Sequence, residues 1–141
     1  MSSETIDRET RDGVSDVLIK YATGIDSKNW ELLATCFTED VEADYGADIG
    51  VWKGVDEIVE WMRVVHEACG HTLHRITNIA VTPAGPGQAK ARAYVDALVL
   101  GPDNASGAHA TGFYDDELVE TPDGWRIARR TFTTAFVEGI G

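Results

Sequence analysis

At residues 70–78 the sequence reads GHTLHRITN, and here the spacing of apolar residues changes from three or four to two. Residues two apart in a strand lie on the same face of a sheet. His74, Ile76 and Ala80 are therefore predicted to share one side of a strand, with Asn78 among them. An imidazole on that side can face a pocket. The change of period also separates predicted helices, which precede it, from predicted strands, which follow it.

Three segments before this stretch have apolar residues at helical spacing. The first carries its apolar stripe from Val14 to Ile25, and Gly24 is its expected stop. The second covers residues 30–37. The third is predicted to begin at Asp56, a favourable N-cap residue, and to stop at Gly70.

Alternation with a period of two predicts the strands. A short run covers Val41–Tyr45, and four long runs follow the 70–78 stretch. The long runs are residues 72–82, 88–100, 108–120 and 125–137. Because Gly, Pro, Asp and Asn lie between the long runs, short turns and an antiparallel sheet are expected. Helices followed by strands predict an α+β fold in which three helices cover one face of a curved sheet. One domain is expected for residues 1–141.

The composition argues against several classes of partner. The 141 residues include 24 acidic and 12 basic side chains, for a net charge of −12. No cluster of basic residues is present, so nucleic acid and anionic membranes are disfavoured. The first residues lack a basic stretch followed by an apolar one, and no apolar run reaches the roughly 20 residues of a membrane span. A cytoplasmic protein is therefore expected.

The sequence has no motif for a nucleotide cofactor or for serine hydrolysis. A metal site built on His71 and His74 is disfavoured because three-residue spacing on a strand points two imidazoles in different directions. We therefore expect neither a cofactor nor a metal ion.

Four short segments resemble those of a known family. They are Gly24-Ile25-Asp26, Trp52-Lys53-Gly54, His74 with Thr77-Asn78, and the strand from Trp125 to Arg130. With the order of elements, they resemble SnoaL-like proteins of the nuclear transport factor 2-like (NTF2-like) superfamily. That resemblance implies a cone-shaped, cystatin-like curved antiparallel sheet under three N-terminal helices. The members that the chain resembles are lyases, namely hexachlorocyclohexane dehydrochlorinase, scytalone dehydratase and bile-acid 7α-dehydratase.

The resemblance places an Asp–His catalytic base at Asp26 and His74. An unperturbed imidazole titrates near pH 6.5, so a histidine is largely neutral at pH 7 and can accept a proton. A carboxylate on its other nitrogen orients the ring, and positioned base catalysis contributes about 10²- to 10⁴-fold. In the alternative interpretation, His74 is a structural histidine and Asp26 caps the helix that starts near Ser27.

Three further residues are candidates for binding a substrate. Tyr21 lies on the apolar stripe of the first helix, and its hydroxyl either protonates a leaving group or pairs within the core. Tyr45 has the same two interpretations. The resemblance places Arg130 in the pocket, where it can hold a leaving group or an anionic oxygen. A salt bridge to one of the many acidic residues is the alternative for Arg130.

The remaining histidines differ in their expected positions. His109 alternates with Thr111 and Phe113, and the resemblance makes it a candidate second histidine of the pocket. His71 is predicted to face away from His74. His66 belongs to the third helix and is expected outside the site.

Together with the resemblance, these residues favour a cofactor-independent lyase acting on a small, largely apolar ring compound. The two tyrosines favour loss of water over loss of halide. One alternative is an isomerase or polyketide cyclase that uses the same pocket. The other is a non-catalytic binding module, such as the small subunit of a ring-hydroxylating oxygenase. Because open sheet faces and edges commonly pair, a homo-oligomer is expected, either a dimer or a trimer.

Overall fold

The computed structural model describes residues 5–141, so the first four residues of the N-terminal segment lie outside the described part. Three helices come first or lie between the early strands: α1 (Arg8–Asp26), α2 (Trp30–Ala34) and α3 (Val55–Glu67). The strands are β1 (Phe37–Asp44), β2 (Val51–Lys53), β3 (Thr72–Pro83), β4 (Gln88–Leu100), β5 (Gly107–Thr121) and β6 (Gly124–Ile140). The predicted α+β fold is confirmed.

All six strands form one curved sheet, in the order β2-β1-β6-β5-β4-β3. From β3 to β6 each strand pairs antiparallel with the next through a short connection. β1 pairs antiparallel with β2 but parallel with β6, so the prediction of a wholly antiparallel sheet is wrong at this one pairing. A hairpin forces antiparallel pairing, whereas β1 and β6 are far apart in the chain and are free to run in the same direction.

The helices cover one face of the sheet, and the hydrophobic core lies between the two layers. Every second residue of β4 from Ala89 to Ala97 is buried, and four of these five residues are alanines. Such small side chains leave space between the sheet and the helices. None of the helices within residues 5–141 is long and apolar enough to cross a membrane.

Several helix boundaries differ from those predicted. α2 ends at Ala34, so that Phe37 begins β1, and α3 ends at Glu67 rather than at Gly70. Gly24 lies inside α1, which continues to Asp26. A Cβ at Gly24 would lie 3.1 Å from the Cα of Leu33, so glycine is needed here for close approach of α2 rather than as a helix stop. The N-cap of α3 is Gly54, with a φ of 89°. Asp56 lies in the first turn, where a carboxylate is favoured by the helix dipole.

A bulge interrupts β3 between Thr77 and Ala80. Asn78 adopts a φ of 51°, a left-handed conformation that asparagine tolerates better than most residues. Beyond the bulge the alternation is inverted, so that Ile79 packs against the core while Asn78 and Ala80 are exposed. The predicted shared face of β3 therefore extends from His74 only as far as the bulge.

Candidate active site

Asp26 is held at the junction of α1 and β3. Because α1 ends at this residue, its carboxylate lies against the first residues of β3. It accepts hydrogen bonds from the Thr72 hydroxyl (2.9 Å), the His74 backbone N–H (2.7 Å) and His74 Nδ1 (2.7 Å). One carboxylate thus holds both the backbone and the ring of His74.

The charge of Asp26 determines the tautomer of His74. Burial raises the pKa of Asp26, but the hydrogen bonds from His74 and Thr72 and the charge of His74 outweigh it, so this pKa lies below its usual value. A carboxylate can only accept, so the ring proton is on Nδ1 and the lone pair on Nε2. Nε2 of His74 has no hydrogen-bond partner in residues 5–141.

His74 lines a partly enclosed cavity of about 140 Å³ between the helices and the sheet. This volume is close to that of engineered apolar cavities, about 150 Å³, that bind benzene. Aromatic and aliphatic side chains predominate in the lining. The lining residues are Tyr21, Tyr45, Trp61, Met62, His66, His74, Val95, Ala97, Val99, Ala110, Tyr114 and Phe132.

A second, more open groove of about 450 Å³ lies between α1 and β3. Asp26 and His74 both line it, along with residues such as Ile19 and Ile76. The histidine therefore lines both the cavity and this more open groove.

Three tyrosine hydroxyls form a chain in the cavity wall. Tyr114 donates to Tyr21 (3.4 Å), and the hydroxyls of Tyr21 and Tyr45 are 2.8 Å apart. Arg130 Nη1, which can only donate, contacts the Tyr45 oxygen at 3.3 Å. If Tyr21 donates its proton to Tyr45, the Tyr45 proton is left for a molecule in the cavity. Burial raises the pKa of both Tyr21 and Tyr114, so these phenols stay protonated.

Arg130 is buried behind this chain and does not line the cavity. It forms two hydrogen bonds of 2.8 Å with Asp116, and its guanidinium carbon lies 4.2 Å and 3.7 Å from the ring centres of Tyr21 and Tyr114. Burial lowers the pKa of Arg130, but the Asp116 carboxylate outweighs burial and raises this pKa. Arg130 therefore forms a salt bridge, the alternative that the sequence left open, and contacts the cavity through the Tyr45 hydroxyl.

His109 is not brought to the cavity. It lies on the opposite face of β5, where its ring nitrogens contact Asp96 and Glu138. Hydrogen bonds to these two carboxylates raise the pKa of His109. His71 is exposed just before β3. Within the described residues, no group of three or more His, Cys, Asp or Glu side chains is arranged to bind a metal ion.

His66, in contrast, lies in the cavity wall, although the sequence predicted it outside the site. Its ring centre is 5.6 Å from that of His74. A signal for this position was present, because His66 follows Ile58 and Met62 at intervals of four on the buried stripe of α3.

Tyr114 and Asp116 were also missed. They share the inward face of β5 with Leu118, as period-two alternation requires. An acidic residue on an otherwise apolar face needs a charged partner. That rule could have paired Asp116 with an arginine from the sequence alone.

Comparisons with known proteins agree with this architecture. An uncharacterized protein of Mycobacterium tuberculosis strain H37Rv is 29% identical over 123 residues, which cover 87% of this chain and 84% of that protein. A crystal structure from Novosphingobium aromaticivorans, named as a candidate aromatic ring hydroxylase, is 30% identical with a TM-score of 0.86 and covers 96% of both chains.

Two lyase-related structures share the fold at lower identity. A candidate scytalone dehydratase from N. aromaticivorans is 23% identical, with a TM-score of 0.83 and coverage of 90% of this chain and 85% of that one. Hexachlorocyclohexane dehydrochlorinase from Novosphingobium barchaimii is 16% identical, with a TM-score of 0.82 and coverage of 94% and 91%. Residues 7–131 match the SnoaL-like domain. The resemblance seen in the sequence is thus confirmed, and the chain belongs to the SnoaL-like family of the NTF2-like superfamily.

Proposed function

We propose that this protein is a cofactor-independent lyase that removes water, or a halide, from a small, largely apolar ring compound. The observation that supports this most strongly is the position of His74. Its Nδ1 is hydrogen-bonded to a carboxylate, its Nε2 has no partner within residues 5–141, and its side chain lines a cavity of about 140 Å³ with mainly apolar walls. A general base needs this combination of a fixed tautomer and a free lone pair.

In the proposed reaction, His74 Nε2 removes a proton from a ring carbon next to a carbonyl group. Asp26 stabilises the imidazolium that forms. Hydroxide leaves from the neighbouring carbon as the double bond forms, and it takes the Tyr45 proton to become water. Arg130, at 3.3 Å, stabilises the resulting phenolate. His74 then returns its proton through the groove, and Tyr45 is reprotonated.

A simple ring compound tests this proposal. 3-Hydroxycyclohexanone loses water to give 2-cyclohexenone, which is detected by its ultraviolet absorbance and its lower mass. We expect His74→Ala to slow this elimination by about 10²- to 10⁴-fold. His71→Ala is the matched control, because His71 is an exposed histidine three residues away. Equal rates in wild type and His74→Ala would refute His74 as the base.

The same assay separates elimination from isomerisation. An isomerase or cyclase would use the same base but conserve mass. 3-Cyclohexenone can shift its double bond to give 2-cyclohexenone without loss of atoms. Turnover of this compound, with none of the hydroxy ketone, would favour the isomerase alternative.

A second candidate function is a subunit of a ring-hydroxylating oxygenase. It is favoured by the name of the structure that is 30% identical over 96% of both chains, a candidate aromatic ring hydroxylase. This role predicts a stable complex with a large subunit. It also predicts that changes at Asp26 and His74 leave function intact, whereas the lyase proposal predicts that they slow the reaction by about 10²- to 10⁴-fold.

A homo-oligomer also stays a prediction, as does a cytoplasmic location. The uncovered face of the sheet has exposed apolar side chains, including Tyr94 and Phe136, at 50% and 58% exposure. Burial of these side chains between copies would explain them. Light scattering on the purified protein measures whether a dimer or a trimer forms.

A further inference from the structure

His66 has a defined tautomer. Its Nδ1 lies 2.8 Å from the carbonyl oxygen of Met62, one turn earlier in α3. A carbonyl can only accept a hydrogen bond, so Nδ1 carries the ring proton and Nε2 carries a lone pair. Nε2, the ring nitrogen that is not bonded to its own helix, can therefore accept a hydrogen bond.

The lone pair of His66 is open to the cavity. His66 is 6% exposed and lines the cavity, and its Nε2 has no hydrogen-bond partner within residues 5–141. In the same part of the chain, only Thr38 Oγ1 is both enclosed by protein and without a partner. The Nε2 of His66 is therefore not sealed among protein atoms, and the cavity is a space that the His66 side chain lines.

His66 also stays neutral while His74 works. Burial lowers the pKa of His66 most, and the nearby His74 lowers it further, against the partial opposing effects of the Met62 carbonyl and Asp26. The two ring centres are only 5.6 Å apart, so a proton gained by His74 disfavours a second one on His66. His66 therefore offers the same lone pair before and after the proton transfer.

This acceptor complements the rest of the wall. Tyr45 can donate a hydrogen bond, and Nε2 of His74 faces the C–H that reacts. The proposed mechanism assigns no role to His66. A carbonyl oxygen placed against its lone pair would meet repulsion, while a hydroxyl would form a hydrogen bond.

We propose that His66 Nε2 accepts a hydrogen bond from a hydroxyl group of the bound ring, so that the cavity selects hydroxylated rings over rings of the same size without a donor. This deepens the proposed function, on which it rests for the view that a ring compound occupies the cavity. His66 is thus a specificity-determining residue, separate from the Asp26 and His74 pair.

Phenol and toluene test the proposal, because they differ mainly in a hydroxyl in place of a methyl group. Each is titrated into protein with ¹⁵N-labelled histidine, and long-range ¹H–¹⁵N spectra follow the ring nitrogens. We expect phenol to move the His66 Nε2 signal toward that of a protonated nitrogen, and toluene to leave it near its free position. A role of His66 in packing alone would not produce this difference.

Variants at His66 measure the selectivity. His66→Phe keeps a ring but removes the acceptor, and we expect it to weaken phenol binding by about 2- to 10-fold, the value of one net hydrogen bond. Toluene affinity should not fall. His66→Gln, which retains an acceptor, should recover part of the phenol affinity. If His66→Phe does not fold, the response of the His66 nitrogen signals in the wild-type protein tests the proposal by itself.

Three outcomes would overturn the proposal: phenol shifts only the His74 nitrogen, His66→Phe weakens both compounds equally, or neither compound binds. Failure of the lyase proposal is measured separately, by the effect of His74→Ala on elimination. The phenol titration needs no turnover, so contact between phenol and His66 can be established even if no elimination is seen.

Discussion

Replacing Asp26 by Asn should invert the tautomer of His74. Three donors face the Asp26 carboxylate: the Thr72 hydroxyl, the His74 backbone N–H and His74 Nδ1–H. An amide has one accepting oxygen, and its NH₂ group would oppose one of these donors. The ring can relieve the clash by moving its proton from Nδ1 to Nε2. The Nε2 lone pair that the proposed mechanism requires is then lost.

The expected magnitudes follow from those contacts. Loss of the correct tautomer and of the charge should lower the elimination rate by about 10²- to 10⁴-fold. Hydrogen bonds to a charged group contribute about 1.5–3 kcal/mol each. Loss of one of the three would lower the free energy of unfolding by about 2 kcal/mol, which for a chain of this length corresponds to a Tm about 7 °C lower.

The direct assay is the same ¹⁵N spectrum of the histidine rings. Wild type should show His74 protonated at Nδ1, and the Asn variant should show it protonated at Nε2. Acid unfolding gives a second measurement. Because the pKa of Asp26 is below its usual 3.8 in the folded protein, its stabilisation is complete above that pH and is lost as the pH falls through the folded value. The Asn variant should lack this pH-dependent contribution to the free energy of unfolding.

The reasoning would be refuted if Asp26→Asn kept the Nδ1 tautomer and the wild-type rate. Thr72→Val is the matched control, because it removes one donor to the same carboxylate but leaves the charge and both contacts from His74. We expect it to lower stability while preserving the tautomer. A tautomer change in this variant would show that the carboxylate charge is not what orients the ring.

Two further predictions concern charged residues outside the pair of Asp26 and His74. Asp116→Leu leaves the Arg130 guanidinium buried without its partner, so it should lower the free energy of unfolding, measured by urea titration, by about 3–5 kcal/mol. The double variant with Arg130→Met should recover much of this loss. A single variant as stable as wild type would contradict the prediction. Hydrogen bonds to Asp96 and Glu138 raise the pKa of His109, so its stabilisation is complete below pH 6.5 and is lost as the pH rises through the higher folded value. His109→Gln should lack that pH dependence in thermal melts across neutral pH, and identical profiles would count against the ion pairs.

Much of the fold could be predicted because its signals are local. Alternation with a period of two defines β4 from Gln88 to Leu100 at the predicted ends. The parallel pairing of β1 with β6 could not be predicted, since it joins segments far apart in the chain and neither carries a turn that specifies it. The bulge at Asn78 depends on the left-handed backbone conformation of this one residue. Several residue types can adopt that conformation or an ordinary one, so the residue type alone does not predict the bulge.

The site residues also include some that the sequence predicted and some that it did not. Asp26 and His74 were identified through resemblance to a family, and the structure places them 2.7 Å apart. Helical spacing places His66 on the buried stripe of α3 with Ile58 and Met62, but its distance of 5.6 Å from the His74 ring depends on tertiary packing, which that spacing does not specify. Arg130 could be assigned to the pocket or to a salt bridge until its distance to Asp116 was known.

The size of the cavity can vary separately from the contact between Asp26 and His74. Ala97 and Ala110 both line the cavity, but Ala97 lies directly opposite His74 in the pairing of β3 with β4, whereas Ala110 lies on β5, one strand farther away. Adding a few carbon atoms at Ala110 would therefore make the cavity smaller while the hydrogen bonds between Asp26 and His74 stay in place. Under the proposed function, single substitutions at Ala110 would change which ring compounds fit without replacing the proposed base.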